Sequence, residues 1–560
     1  MKRMWRPLIG LGVLAAVLAC RSANARPKPA PKASSNLKLV DSVLTPGEPG
    51  VVDVTFEIHA DQDARPISPM IYGINSDVKD AERQRWGSIR SGGNRLTAYN
   101  WETNASNAGS DWLFQNDSLM GESNEPAKPL LDIIDAASKI SAATVITLST
   151  SDYVSADKNG GGDVRASGPA YLSTRFHRNL AKKPAAFTPR PNPDDHFVYQ
   201  DELVAYLRKQ RPQAKLLFAL DNEPELWSHT HAEVFPKPVT YADLWKRNHE
   251  FAKAAKETWP GIETLGFVSY GYLGFTSLQN APDAGGRVFV DWYLDQAKAA
   301  HKSFGSRLID YLDVHWYPEA QGGGQRIVSD ITTPEVVYAR EQAPRSLWDA
   351  KYEEKSWIRD SAGGPINLLN WLQGKIDSHY PGTKLALTEW NFGAGGHVSG
   401  AIATADVLGI LGKFGVNLAT YWGLSEHEAF AYAAFRAYRN FDNQGAQFGD
   451  TSIAATNSNV ELGSVYASID RQNPARTVIV AINKATTPKK AGLRLFHSAA
   501  YSSAKVYLLS GASPNMANAP SLTAVATNAF KYTMPPQSIS VIVPELPGSP
   551  QPDSSERTNK

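Results

Sequence analysis

A chain of 560 residues exceeds one ordinary domain and leaves room for a barrel of about 250 residues beside a smaller partner. Lys and Arg number 57 against 56 Asp and Glu, a formal charge of +1, which excludes the strongly basic surface that a nucleic-acid partner requires. Cys20 is the single cysteine, which excludes a thiolate metal site and an internal disulfide, while 14 Trp and 22 Tyr supply aromatic surface for stacking as well as for a core.

The first 25 residues read as an export signal: Lys2, Arg3 and Arg6 precede an apolar run over 8–19 that is short for a bilayer span. Two processing sites compete, Ala23-Asn24-Ala25 for soluble secretion and Val17-Leu18-Ala19-Cys20, which resembles a bacterial lipobox and would anchor a lipid at Cys20. The expected location is therefore secreted or lipid-anchored on the bacterial cell envelope. Residues 26–50 read as a Pro-rich linker, opening with RPKPAPKASS. The stretch 51–65 begins VVDVTFEI, an alternating pattern that predicts an N-terminal strand contributed to a later sandwich.

Over 66–432 short apolar runs alternate with amphipathic helical stretches. The strands are expected at 70–75, 87–90, 144–149, 215–220, 264–269, 311–315, 384–388 and 418–421. Helices are expected at 130–140, 241–258, 288–301, 366–379 and 402–414. The predicted fold is α/β: a (β/α)8 TIM-like barrel plus an antiparallel β-sandwich built from C-terminal and some N-terminal strands. Residues 433–547 supply the sandwich, through runs at 477–482, 492–496, 504–509 and 538–543, and 548–560 read as a disordered tail.

Catalytic groups of such barrels stand at the C-terminal ends of strands. The fourth run ends in Asn222-Glu223-Pro224, the sixth in His315-Trp316-Tyr317, the seventh in Thr388-Glu389-Trp390 and the eighth in Tyr421-Trp422. NEP alone is also an ordinary turn, and TEW alone says less; together they place two glutamates on one face. That is the pairing glycoside hydrolysis needs, one carboxyl to protonate the leaving oxygen and one to attack or to activate water. Glu223 is assigned as general acid/base and Glu389 as nucleophile, with Asn222 holding a sugar hydroxyl. Tyr317 and Arg95 are expected to donate to Glu389, and His315 to fix the polar network. Trp101, Trp316, Trp390 and Trp422 are expected to stack on sugar rings. Glu225 is expected to cap a helix, Asp221 to point away, Asp313 to be a buried structural carboxylate, and Glu426 and Glu428 to lie in a solvated loop.

RSGGNRLTAYNWETNASNAGSDW (90–112), ALDNEPELW, DVHWYPEA and LALTEWNFGAGGHVSGAIATADVLGILGKFGVNLATYWGL resemble glycoside hydrolase family 44, over about residue 66 to the end of the sandwich. The resemblance implies a retaining endo-β-1,4-glucanase, often active on xyloglucan, with its acid/base at Glu223 and its nucleophile at Glu389. Where the family pattern has Tyr in T-E-Y-N-Y, this chain has Trp390 and Phe392. SADKNGGG (155–162) resembles a family loop near which members carry a structural calcium; Glu102, Asp152 and Asp157 are its candidate ligands, against ordinary turn residues. No cofactor is expected to be required for catalysis, since HExxH and full EF-hand patterns are lacking. The expected partner is a β-1,4-linked polysaccharide and the expected state a monomer. The alternatives are an endo-β-1,4-xylanase or mannanase, which use the same carboxylate pair, and a non-catalytic polysaccharide-binding protein of the cell envelope, which has no need of one.

Overall fold

The computed structural model describes residues 39–76 and 80–548. The export signal, Cys20 with its lipobox, the first part of the linker and the tail beyond Gly548 lie outside the described residues. Eight parallel strands close into a barrel: β1 (Gly73–Asn75), β2 (Ser88–Ser91), β3 (Ala143–Leu148), β4 (Leu216–Leu220), β5 (Glu263–Ser269), β6 (Tyr311–Trp316), β7 (Lys384–Trp390) and β8 (Leu418–Tyr421). Each falls on one of the apolar runs. Strands such as ATVITL and LLFAL are buried at every position, because helices cover the outside and side chains fill the inside. Met70, read as the start of the first strand, instead lies in the short helical turn Pro69–Ile71.

Between β6 and β7 the register breaks. Val314 pairs with Leu387, but the next pair is His315 with Glu389, which leaves Thr388 as an extra residue. In a regular strand two neighbours face opposite sides. The bulge instead lets Thr388 and Glu389 both meet groups of the barrel interior.

A second set of strands forms the sandwich, in the order Ser513–Thr523, Ser503–Ser510, Ser538–Glu545, Thr477–Asn483, Gly463–Ile469, Thr451–Asn457, Val54–His59, Lys489–Phe496, Ala529–Met534, and smaller two- and three-stranded sheets lie outside both. Thr451–Asn457 joins the two sheets, and Phe56, Leu493, Ile479 and Ile542 share one core. The pairing departs from a purely antiparallel expectation in one place: Val54–His59 runs parallel to Lys489–Phe496. The linker reading over 26–50 also needs correction. Val40 is buried in the sandwich core, Leu44 bridges to His497, and the Gly47 N–H donates to the Thr527 carbonyl. The apolar Leu39, Val40 and Val43 distinguish this segment from the Pro/Lys/Ser stretch before it.

Helix Val398–Phe414 carries apolar and small residues all round and is buried along nearly its whole length between barrel and sandwich. Its Gly409 faces the Tyr466 ring so closely that an added Cβ would lie 2.2 Å from it. Asp406 of the same helix accepts from Lys484 Nζ at 2.6 Å and Tyr466 Oη at 2.5 Å, fastening the sandwich to the barrel. Helix Ala429–Arg439 runs unbroken across 432–433, where the sequence reading ended the barrel. Among the described residues no helix is long and apolar enough to cross a membrane.

Candidate active site

The loop after β4 is held in an unusual backbone shape, with Asp221 at φ 72° and Glu223 at φ 44°. Asp221 stabilises it from below: its buried carboxylate accepts from Thr97 Oγ1 at 2.6 Å, the Thr150 N–H at 2.5 Å and the Asn222 N–H at 2.9 Å. The Glu223 N–H donates to the Val268 carbonyl, and Trp227 Nε1 donates to the Asn222 carbonyl, both at 2.9 Å. Glu225 belongs to the same scaffold rather than capping a helix. It is buried and accepts from Ser269 Oγ and, at 3.1 Å, from the Tyr270 N–H, which ties the loop to β5. Burial pushes its carboxyl up to about 8.

Glu389, at the end of β7, accepts from Arg90 Nη1 and from Tyr317 Oη, each at 2.8 Å. Arg90, not Arg95, is the cation of the site. It is fully buried in β2 and also donates to Asn222 Oδ1 at 2.8 Å and Asn75 Oδ1 at 3.0 Å. Arg95 points elsewhere, to Asp117 at 2.5 Å and Ser106 at 3.3 Å. The sequence carried the signal, since an arginine inside a buried barrel strand requires a carboxylate partner.

Glu223 faces Glu389 across His315. His315 Nδ1 lies 2.8 Å from Glu223 Oε1 and 3.6 Å from Glu389 Oε2, and ligand atoms of the three residues fall within 4.8 Å of one another. Burial raises Glu223 to about 7, opposed by Arg90 and reinforced by Asp111, so the carboxyl keeps a proton near neutrality. Burial pushes His315 down to about 3 and holds its imidazole neutral. Burial and the nearby Glu389 hold the Tyr317 phenol protonated as a donor.

Three of the expected stacking tryptophans are core residues. Trp101 is buried with Nε1 donating to the Tyr199 carbonyl at 3.2 Å, Trp316 packs on Phe275, and Trp390 sits among Tyr421, Phe392 and Phe435. Trp422 alone of the four is part-exposed, and its ring lies over Gly93, where a Cβ would approach it to 2.7 Å. Trp357 was missed: 38% exposed, it meets Tyr272 edge-on beside Glu319, just beyond Tyr317. Glu428, read as solvated, is buried and accepts from Tyr421 Oη at 2.8 Å and the Leu424 N–H at 2.9 Å; Glu426 is exposed. Asp313 is buried, as expected.

The candidate calcium ligands do not converge. Asp157 is paired with Arg175 at 2.8 Å and Asp152 with Arg247 at 3.0 Å, so arginines already neutralise both. Glu102 is buried beside Asp195 and Glu202, which with burial raise it to about 9. Among the described residues the one His/Asp/Glu group with ligand-like spacing is Glu223, His315 and Glu389, and there Arg90 and Tyr317 already occupy Glu389.

Two carboxyls this close at the mouth of a barrel, one holding a proton and one paired with a cation, are the arrangement of a glycoside hydrolase. The sequence profile of glycoside hydrolase family 44 matches residues 105–320. Endoglucanase A of Paenibacillus lautus is 40% identical over 514 residues, covering 88% of this chain and 72% of that protein. The beta-mannanase/endoglucanase A of Caldicellulosiruptor saccharolyticus is 38% identical over 517 residues, covering 87% of this chain but only 38% of its own length. A family 44 xyloglucanase of Paenibacillus polymyxa, solved with xyloglucan, superposes with a TM-score of 0.84 at 38% identity, over 88% of this chain and 99% of that one. The chain belongs to glycoside hydrolase family 44.

Proposed function

We propose that the protein is an exported, retaining endo-β-1,4-glucanase that cleaves cellulose-type β-glucans and xyloglucan. The observation that carries this reading is the spacing of the two glutamates, within 4.8 Å between oxygens. Retention uses carboxyls about 5–5.5 Å apart, whereas inversion needs about 6.5–9.5 Å to admit a water. In the first step a Glu389 oxygen bonds to the anomeric carbon as the glycosidic C–O bond breaks, and the Glu223 proton passes to the leaving oxygen. In the second, ionised Glu223 takes a proton from water, whose oxygen attacks the same carbon and releases Glu389. Arg90 and Tyr317 hold Glu389 in place. Trp422 and Trp357 offer faces for sugar rings, and Asn222 Nδ2 a donor for a hydroxyl.

The relatives' names support a glucan substrate, and the xyloglucan complex of the Paenibacillus polymyxa enzyme supports a branched one. The signal-like residues 1–25 support export, with Cys20 as a lipid anchor. Hydrolysis of carboxymethylcellulose, xyloglucan, xylan and mannan tests the reading, with mannan included because one relative's name carries that activity. Glucan and xyloglucan cleavage is expected, lost by orders of magnitude in Glu223→Gln and Glu389→Gln. Cleavage of xylan or mannan alone, or near-normal glucan activity in either variant, would overturn it.

A further inference from the structure

Beneath the two glutamates, β6 and β7 carry three more polar side chains, Asp313, His315 and Thr388, each without solvent exposure. Thr388 Oγ1 lies 2.9 Å from both carboxylate oxygens of Asp313, and the Thr388 N–H reaches Oδ1 at 3.2 Å. On its other side Thr388 Oγ1 is 3.2 Å from His315 Nε2. A hydroxyl has one proton to give and lone pairs to offer. While Asp313 is ionised that proton is committed to it, the oxygen presents a lone pair to the imidazole, and Nε2 must bring the hydrogen. A neutral imidazole carries one N–H, which leaves Nδ1 bare. Nδ1 is the atom 2.8 Å from Glu223 Oε1. A bare nitrogen facing an ionised carboxylate sets lone pair against lone pair; facing a protonated carboxyl, it accepts a hydrogen bond.

We propose that Asp313, acting through Thr388, holds His315 as its Nε2–H tautomer, so that Nδ1 accepts from Glu223 only while Glu223 carries its proton. Asp313 and Thr388 are then positioning residues, set by the bulge that brings Thr388 under His315. The inference rests on the reading of Glu223 as the acid/base. It adds a consequence to the second step: after Glu223 gives up its proton, its carboxylate faces the Nδ1 lone pair, and capture of a proton from water restores the hydrogen bond. Other charged and titratable groups surround the chain. Arg90 of β2 opposes the raised Glu223 and Asp313, and Asp111 of the loop after β2 reinforces Glu223. Glu389 of β7, Tyr317 after β6, Glu225 after β4, Tyr270 after β5 and Tyr293 of helix Phe289–Phe304 complete the set. Burial raises Asp313 to about 7, close to Glu223, so Asp313 holds the tautomer as pH rises through that value and its carboxylate forms.

The test is nitrogen NMR of the full chain with labelled histidine, the His315 signals among the 12 histidines being assigned by their loss in His315→Gln. At about pH 8, where Asp313 is ionised, His315 is expected to show a protonated Nε2 and a bare Nδ1. Thr388→Ser keeps that pattern; Thr388→Val loses it and moves the alkaline limb of kcat/KM down by about one pH unit. A protonated Nδ1 in the unaltered chain would overturn the proposal whatever the variants do, as would an unmoved limb in folded Thr388→Val. The tautomer is read without turnover, so the underlying reading fails separately, by a Glu223→Gln variant that keeps its activity.

Discussion

Replacing Arg90 with Met removes the cation beside Glu389 while keeping a side chain of comparable reach. Arg90 is fully buried and donates to Glu389, Asn222 and Asn75 at 2.8, 2.8 and 3.0 Å. At an effective dielectric of about 20, unit charges roughly 4 Å apart attract by about 4 kcal/mol. Removing one member of a buried pair costs about 3–5 kcal/mol, because the other charge is left without compensation. Arg90→Met is therefore expected to lose about 3–5 kcal/mol in urea unfolding followed by circular dichroism. It should also lose most xyloglucan hydrolysis, since Glu389 keeps only Tyr317 to orient it. The double variant Arg90→Met/Glu389→Gln strands no charge, so its stability should exceed the additive expectation by about 1–3 kcal/mol. Arg90→Met within about 0.5 kcal/mol of the unaltered chain, turning over at its full rate, would refute the reasoning.

Glu223, Asp313 and Glu225 are raised by burial to about 7, 7 and 8. Carboxyls raised in the fold contribute stability that is complete below their unfolded values and lost as pH rises through the folded ones. The melting temperature is thus expected to fall between about pH 5 and pH 8.5, and a rise across that window would contradict the burial of these groups as acids. For the same reason kcat/KM should decline above about pH 7 as Glu223 gives up its proton; a plateau continuing to about pH 9 would remove it as the acid. Trp422→Ala should raise KM for xyloglucan in a stable protein, whereas Trp101→Ala should cost about 3–5 kcal/mol of stability as a core cavity; the reverse pattern in kinetics and unfolding would reverse their placement. Lys484→Met should destabilise by about 3–5 kcal/mol by stranding buried Asp406, and Asp406→Leu/Lys484→Met should recover most of it, both read by urea unfolding.

The barrel was legible because its strands are buried along nearly their whole length, so each reads as an apolar run stopped by polar residues. LLFAL followed by DNEP, and LAL followed by TEW, mark both the strand and the point where it opens to the cleft. Which aromatic faces that cleft is a different matter. Trp101, Trp316, Trp390 and Trp422 are alike as residues, and only packing separates three buried rings from a part-exposed one. Arg90 and Arg95 differ by register: Arg90 lies within β2 and Arg95 in the turn after it, a distinction that pattern reading leaves open. Glu225 looked like a helix cap and Glu428 like a loop acid because their partners, Ser269, Tyr270 and Tyr421, lie on strands or at their ends. Thr388 is hidden more deeply, since its place under His315 depends on a bulge that leaves no trace in the alternation of β7.

The central claim is that Glu389 and Glu223 act as a retaining pair, and the stereochemistry of the first product tests it most directly. A proton NMR time course of xyloglucan oligosaccharide cleavage should show the β-anomer first, with the α-anomer growing in only by mutarotation. Appearance of the α-anomer first would mean inversion, and would contradict the mechanism built on this spacing.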